Sequence, residues 1–305
     1  MSAAAEPRST SRRTLKSVLV IGAGKVGRAL HEGLLRAGVA SSLRQARTLL
    51  AKQLPVTDLL VIASRDGRIE EIARLLADSD AQPRAVVHCA GALGVEPLAA
   101  LSARGVAVGA MHPCLSFPSP EARVALAGGA LVITGDRGAV TLAKALARVL
   151  EMSAICPASL DRSAYHAACA LTANGSAALA EASARLLEAS GIAPRDAQRV
   201  LGPLLTSVGH NVTRLSAAEA LSGPVARGDI ATVRAHEAAV KRALPELLPL
   251  YEAMVVAQRA FVARRNVTLA EQGPSRGEPT AKGEEPAIRS LQTPQKMRKR
   301  GVKSP

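Results

Sequence analysis

Near the N-terminus, Gly22-Ala23-Gly24-Lys25-Val26-Gly27 sets three glycines at the spacing G-x-G-x-x-G. The flanks give that spacing its meaning. The apolar run Val18–Ile21 precedes it, and Val26, Leu30 and Leu34 follow on one face of a helical stretch. A strand, a glycine turn and a helix in that order form a cradle for a dinucleotide. Gly22 permits the tight turn, Gly24 admits a pyrophosphate close to the backbone, and Gly27 lets helix and strand pack. The helix start at Lys25 and Val26 offers free N–H groups and the positive end of a dipole. Ala63, closing the run Leu59–Ala63, and His88, closing Ala85–His88, complete the cofactor-binding candidates, though His88 also reads as a histidine bonded to nearby backbone at a strand end.

The nucleotide's identity turns on the next strand. An NAD site normally carries an acidic residue at the end of the second strand, where it accepts hydrogen bonds from ribose hydroxyls. Between Gly33 and Pro55 there is none. The segment Ser41-Ser42-Leu43-Arg44-Gln45-Ala46-Arg47 offers hydroxyls and two guanidinium groups instead. An arginine fork matches a 2′-phosphate in charge and shape, so NADP rather than NAD is the expected cofactor. The alternative is that Arg44 and Arg47 form a solvated face.

Four further residues have the chemistry of a reaction centre: His112, His166, Asn174 and Arg227. His112 follows the apolar run Val106–Met111, so it is expected at a strand end, where open α/β sheets bind ligands. A histidine there can exchange a proton near neutral pH, or simply bond to nearby backbone. His166 and Asn174 lie eight residues apart on a long helix, about 80° apart around its axis. Either they face a substrate or they satisfy each other and nearby backbone. Arg227 stands in the glycine-bounded loop Gly223-Pro224-Val225-Ala226-Arg227-Gly228, where it could clamp a carboxylate bidentately. His210-Asn211 and His236 read as helix-surface or packing residues.

These residues must be positioned by elements of two kinds. In the first half, short apolar runs alternate with helical stretches, the pattern of a parallel sheet covered on both faces. Helices are expected over Gly67–Ala77 and Arg137–Leu150, the second with Asp136 as its N-cap. A short, poorly apolar second strand falls near Val39–Leu43. After Pro157 the pattern becomes helical throughout: Arg162 to Ser190 capped by Asp161 and ended by Gly191, then Pro194–Val208, Ala217–Leu221, Ile230–Leu244 with Asp229 as cap, and Pro245–Arg264. The expected division is a flexible leader over 1–14, a Rossmann-like domain over 15–153, a helical domain over 154–265 and a disordered basic tail over 266–305.

Composition bounds the function classes. Hydrophobic residues make up 48% of the 305, enough for a sizeable core, but aromatics only 1%. The net charge is +14, and Lys296, Arg298, Lys299, Arg300 and Lys303 crowd the last ten residues. Single-strand nucleic-acid binding uses stacking aromatics beside a basic face, so no specific nucleic-acid partner is expected. No apolar run has the length of a membrane span. Cys89, Cys114, Cys156 and Cys169 occur singly, without metal-ligand spacing. They read as small buried hydrophobes, with no metal and no disulfide framework expected. A cytoplasmic location is expected.

The chain resembles the family of oxidoreductases that joins a Rossmann-like NAD(P)-binding domain to a C-terminal helical domain of uncharacterised function. That family is related to the 6-phosphogluconate dehydrogenase, ketopantoate reductase and pyrroline-carboxylate reductase superfamily. The resemblance rests on Gly22–Gly27, Val87-His88-Cys89-Ala90-Gly91, Met111-His112-Pro113 with Phe117, Tyr165-His166 with Asn174, and Leu221 to Asp229. It implies an α/β domain followed by an all-α domain of the 6-phosphogluconate dehydrogenase C-terminal type, which shapes a substrate cleft and dimerises. Related hydroxyacid dehydrogenases carry a Lys-x-x-x-Asn pair on the matching helix. Here Ala170 stands four residues before Asn174, so the lysine is missing. The resulting expectation is an NAD(P)-dependent oxidoreductase acting on a small polar or anionic molecule. The alternative is a dinucleotide-binding sensor that keeps the fold without the reaction.

Overall fold

The computed structural model describes residues 15–46, 54–80, 83–119, 121 and 123–272. Five residues, Ser17–Ile21 (β1), run into the glycine turn and then into helix α1, Lys25–Arg36. There follow β2 (Ala40–Arg44), β3 (Leu59–Ile62), a 3-10 turn at Asp66–Arg68 leading into α2 (Ile69–Ala77), and β4 (Ala85–His88). A second 3-10 turn, Glu96–Leu98, opens α3 (Ala99–Ser102); then come β5 (Ala107–Cys114), β6 (Ala130–Gly135), α4 (Arg137–Val149) and β7 (Ser153–Ile155). The seven strands form one sheet in the order β2-β1-β3-β4-β5-β6-β7. This is a Rossmann-like sheet, parallel except where β5 meets β6.

Alternation along each strand divides the core between the two faces of the sheet. Val18, Val20, Leu59, Val61 and Val87 pack with Leu30 and Leu34 of α1 and Leu142 and Leu146 of α4. Leu19, Ile21, Leu60, Ile62 and Val86 pack with Ile69, Ile72 and Leu76 of α2 and with Leu98 and Leu101. Both sets are buried, which is why β1, β3 and β4 read as continuous apolar runs. Truncating one fully buried leucine here, such as Leu30, would cost about 2–5 kcal/mol.

The chain divides into two compact units, Met1–Ser183 and Ala184–Pro305, with the division inside α5 (Arg162–Ala189). Asp161 caps α5 by accepting a hydrogen bond from the Ala164 N–H at 3.0 Å, and Gly191, at φ +100°, ends it. The second unit is helical: α6 (Pro194–Arg214), α7 (Ala217–Ala220), α8 (Pro224–Arg227), α9 (Ile230–Ala243), a 3-10 turn at Pro245–Leu247, and α10 (Leu248–Gln272). Among its described residues few apolar side chains are buried: Ala197, Val233, Val240 and Val255. No described helix is long and apolar enough to cross a membrane.

Several expectations need correction. A seventh strand, β7, was hidden in a three-residue stretch with little apolar signal. β5 and β6 are antiparallel, joined without a helix, so the sheet is mixed. β5 continues to Cys114, which puts His112 inside a strand rather than beyond its end. Asp136 occupies the N-cap position of α4, yet its carboxylate accepts from the Val108 N–H at 2.8 Å and makes no cap bond. The last helix runs on to Gln272, so residues 266–272 are helical, not tail. The basic cluster at 296–303, like Arg47, lies outside the described residues.

Two glycines of the turn can be told apart by what a side chain would meet. A Cβ on Gly27 would lie 1.8 Å from the Gly22 carbonyl oxygen, whereas one on Gly24 meets nothing within 4 Å. Gly27→Ala is therefore expected to destabilise the protein by at least about 1–3 kcal/mol, the usual cost of overfilling a packed site. Gly24→Ala should stay within about 0.5 kcal/mol, as exposed substitutions do. Urea unfolding midpoints check this; equal losses for both would mean that the turn is not packed as described.

Candidate functional site

Two clefts of the first unit gather the candidate residues. The first lies where the chain leaves β1 for β2 on one side and returns to β3 on the other, the reversal at which open α/β sheets bind ligands. It holds about 900 Å³ and is lined by Gly22 to Val26, Arg28, Gln45, Ala46, Ala63, Ser64, Arg65 and Arg68. Helix α1 presents its first turn here with no side-chain cap. Its first intrahelical bond at this end is Arg28 N–H to Gly24 O, at 3.0 Å, so the earlier N–H groups are available to a ligand. Gly22, at φ +120°, turns so closely that a Cβ would sit 2.3 Å from the Ala63 oxygen. That contact gives Ala63 its place in the cleft wall.

The lining is cationic. Lys25, Arg28, Arg65 and Arg68 contribute, and among the described residues no acidic side chain lines the cleft. Arg28 Nε donates to the Ala23 oxygen at 2.9 Å, and Arg68 pairs with Glu71. Arg44 ends β2 with an exposed side chain; its carbonyl accepts from the Gly22 N–H at 2.8 Å, tying β2 to the turn. Ser41, read as a free hydroxyl, is instead bonded to His31 Nδ1 at 2.8 Å. Arg28, Arg65 and Arg68 were missed because nothing in their local sequence marks them. Only the return of β3 beside β1 brings the last two to the turn.

His88 departs from the expectation of a cofactor contact. It is 0% exposed, its Nε2 bonds the Gly94 carbonyl, and its Nδ1 accepts from the Ala90 N–H at 3.2 Å. Both ring nitrogens are occupied by backbone, so the ring shapes the loop after β4 and has no free nitrogen for a ligand.

The second cleft, about 690 Å³, is lined by His112 to Ser116 from β5 and its following loop and by Tyr165, His166, Cys169 and Asn174 from α5. Three of the four expected reaction-centre residues, His112, His166 and Asn174, are thus brought to one surface. Arg227 belongs to the second unit, exposed at the end of α8, and Asp229 caps α9 by accepting from the Thr232 N–H at 3.0 Å. His236 lies exposed on α9, its Nδ1 bonded to Tyr251 Oη at 3.0 Å.

At the centre of the second cleft, His112 Nδ1 lies 2.6 Å from Tyr165 Oη, and Cys114 Sγ lies 3.0 Å from the same oxygen. His112 and Cys114 are two apart on a strand and so share a face; Tyr165 and Cys169 are four apart on a helix and share one too. Burial pushes His112 down from its ordinary value, with His166 and Arg162 adding to the effect. Burial likewise pushes the Cys114 thiol and the Tyr165 phenol up. All three groups are therefore neutral near pH 7. The consistent arrangement runs from the Cys114 S–H to the Tyr165 oxygen and from the Tyr165 O–H to His112 Nδ1. Gly91 makes room for the far side of the imidazole, since a Cβ there would lie 3.0 Å from His112 Nε2 and 2.7 Å from His166 Cδ2.

The cysteines differ from one another. Cys89 is half-buried, and desolvation by its surroundings pushes its thiol up to about 12. Cys156 is exposed, contrary to the expectation of a buried hydrophobe. Cys114 and Cys169 are half-buried and, although 55 residues apart in the chain, meet beside His112. Singly spaced cysteines give no sign of such a meeting.

Comparison with known proteins gives the following. Residues 130–258 match the model of a family described as a domain of unknown function, DUF2520. Among solved structures, a candidate NADP oxidoreductase from Bacteroides fragilis superposes with a TM-score of 0.63 at 21% identity, covering 82% of this chain and 100% of that one. Protein TM1727 from Thermotoga maritima gives 0.61 at 20% identity, covering 82% and 99%. Pyrroline carboxylate reductase from Plasmodium falciparum, solved with NADP bound, gives 0.55 at 12%, covering 81% and 98%. No curated protein sequence matches. At these identities what is shared is the fold.

The burial of His88 has a pH signature. Desolvation pulls its pKa below the ordinary value, outweighing the Gly94 bond and the Asp66 and Glu96 charges, while Arg162 lowers it further. Between that lowered value and about 6.5 the unfolded chain binds a proton that the folded chain does not, so stability rises with pH there and is lost as pH falls below about 6.5. The unfolding free energy should therefore drop from pH 7 to pH 5, and less steeply in His88→Gln. Identical slopes for the two proteins would exclude His88 as a source.

Proposed function

We propose that the protein is an NADP-dependent oxidoreductase acting on a small polar or anionic substrate. The observation that carries this reading is the first cleft: an uncapped helix start, an open position at Gly24 and cationic walls, at the carboxyl ends of β1 and β3. Such a site fits a dinucleotide through its pyrophosphate. The NADP named for two of the fold relatives agrees with it. The first turn of α1 would hold the pyrophosphate, and Arg44, with Arg65 as a second cation, would meet a 2′-phosphate. When bound, the nicotinamide supplies or accepts a hydride.

The second cleft is the proposed place for the substrate. Register sets Ile21, Ile62, His88 and Ala110 side by side, so the Gly22 turn and His112 lie on the same edge of the sheet. Three strand spacings of about 4.8 Å separate them, about 14 Å in all. In the reducing direction Tyr165 Oη would turn its proton from His112 Nδ1 to the carbonyl oxygen or imine nitrogen and give it up as the hydride arrives, solvent would restore that proton by way of His112 Nδ1, and Asn174 would orient the substrate's polar end. Arg227, in the second unit, is the proposed clamp for a carboxylate. A proton transfer of this kind contributes typically 10²–10⁴-fold to rate.

A homodimer is proposed as well. Helix α6 leaves Val200, Leu204, Val208 and Val212 exposed at four-residue spacing, with Leu205 beside them. Such a stripe is unusual on a surface that stays in water. Sedimentation should give a dimer that Leu204→Glu with Val208→Glu dissociates; a wild-type monomer would overturn this.

The cofactor reading is tested by calorimetric titration. Wild type should bind NADPH more tightly than NADH. Gly24→Val should lose both without a change in melting temperature, and Arg44→Ala should lose the preference. Failure to bind either nucleotide, or unaltered binding by Gly24→Val, would sink it. Oxidation of NADPH by a panel of small keto and imino acids, reduced about 100-fold or more in Tyr165→Phe, separates an enzyme from a sensor. If NADPH binds but none of the panel is reduced, the sensor reading stands.

A further inference from the structure

His112, Cys114 and Cys169 each offer one ligand atom, and these atoms all lie within 4.8 Å of one another. The pair measured directly, Cys114 Sγ and His112 Nδ1, is 3.8 Å apart. In a tetrahedral zinc site, Zn–S is about 2.3 Å and Zn–N about 2.0–2.1 Å, which puts neighbouring ligand atoms about 3.6 Å apart. The cluster therefore needs only side-chain adjustment to close on an ion. We propose that these three residues form a binding site for a soft divalent cation, Zn²⁺ by class, with three protein ligands and a fourth position open to the second cleft. Two thiolates and an imidazole select zinc over magnesium or calcium, which prefer oxygen. Three ligands with one open position is the pattern of sites that polarise a bound oxygen rather than merely brace a fold.

The scaffold suits this. His112 and Cys114 project from one face of β5, an interior strand held here by its pairing with β6 through His112↔Val132 and Cys114↔Ala130. Cys169 comes from α5, one turn beyond Tyr165. All three are half-buried at a cleft, so an ion has a path in and its field is only partly screened. Occupancy would release the two thiol protons and leave thiolate–metal bonds, so affinity should rise with pH. It would also take His112 Nδ1 from Tyr165, freeing the phenol to face the open position. The ion-bound form and the His112–Tyr165 proton relay proposed above therefore exclude one another. The assignment does not depend on any nucleotide, since the first cleft contributes none of the ligands.

Equilibrium binding with cobalt(II) as probe and zinc(II) as competitor tests it, on full-length, chelator-stripped, tag-free protein kept reduced. One cobalt per chain should bind with a thiolate-to-metal charge-transfer band and the visible bands of tetrahedral geometry, and zinc should displace it. Cys114→Ser and Cys169→Ser should each weaken zinc binding by at least about 100-fold, as loss of a directly bonded ligand exceeds the 10–100-fold lost with outer-shell partners. Cys156→Ser should bind as wild type does. Circular dichroism and NADPH titration of each variant separate lost ligands from lost fold; because Ser differs so little from Cys, a folded variant is expected. Absence of a stoichiometric thiolate band would overturn the proposal. So would zinc affinity unchanged in the Cys114→Ser/Cys169→Ser double variant, or binding lost equally in Cys156→Ser.

Discussion

The first unit is organised around a contact between two backbones. Gly27 of α1 lies against the carbonyl of Gly22, and Gly22 in turn lies against the carbonyl of Ala63. With a side chain at either position the helix would have to stand off from the sheet, and β1 and β3 could not meet the turn together. Because there is none, the first turn of α1 is held at the carboxyl edge of the sheet. Its uncapped N–H groups then face space instead of protein. The helix start must find a partner outside the chain or in water, since its own side chains supply none. Close packing and an anion cradle are thus one feature described from two directions.

The second cleft depends on a different constraint, the length of β5. β3 and β4 are four residues each, but β5 has eight and changes partner type along its course, parallel to β4 and antiparallel to β6. The antiparallel half carries His112 and Cys114 beyond the row where β1, β3 and β4 stop. A strand that ended with its neighbours would have left His112 in a loop, with its direction set by turn geometry alone. Within the strand the pleat fixes it, and the same pleat directs Cys114 alongside. Helix α5 answers with Tyr165 and Cys169, separated by one turn.

What could be read from the sequence follows from how local its causes are. The strands β1, β3 and β4, the glycine turn, and the caps Asp161 and Asp229 are each produced by residues within a few positions, and the sequence displays them directly. The reversal of β5 and β6 depends on pairing between positions some twenty residues apart, so the apolar runs alone suggested another parallel step. β7 forms because β6 offers it an edge, not because Ser153-Ala154-Ile155 favours a strand. The reaction-centre candidates show the same split. His112, His166 and Asn174 were marked by residue type and do meet at one cleft. Tyr165, Cys114, Cys169 and Arg65 become significant only through what the fold sets beside them. His88 is the reverse case, a conspicuous residue whose two nitrogens are consumed by backbone two and six positions away.

The two clefts also divide the electrostatic work. The first is lined by cations and exposed on the rim of the sheet, where guanidinium and ammonium groups stay hydrated until a polyanion replaces their water. Exposed charge of this kind suits steering an anion more than stabilising a fold. The second is built from groups that burial keeps neutral: an imidazole held below its ordinary range, a thiol and a phenol held above theirs. A neutral acid beside a neutral base can shift a proton with little rearrangement of solvent, but it cannot attract a charged ligand from a distance. Neither cleft could substitute for the other. Charges clustered around His112 would fix its protonation state, and a neutral phosphate cradle would hold its anion by the helix start alone. The shared edge of the sheet lets one chain keep both environments about three strand spacings apart.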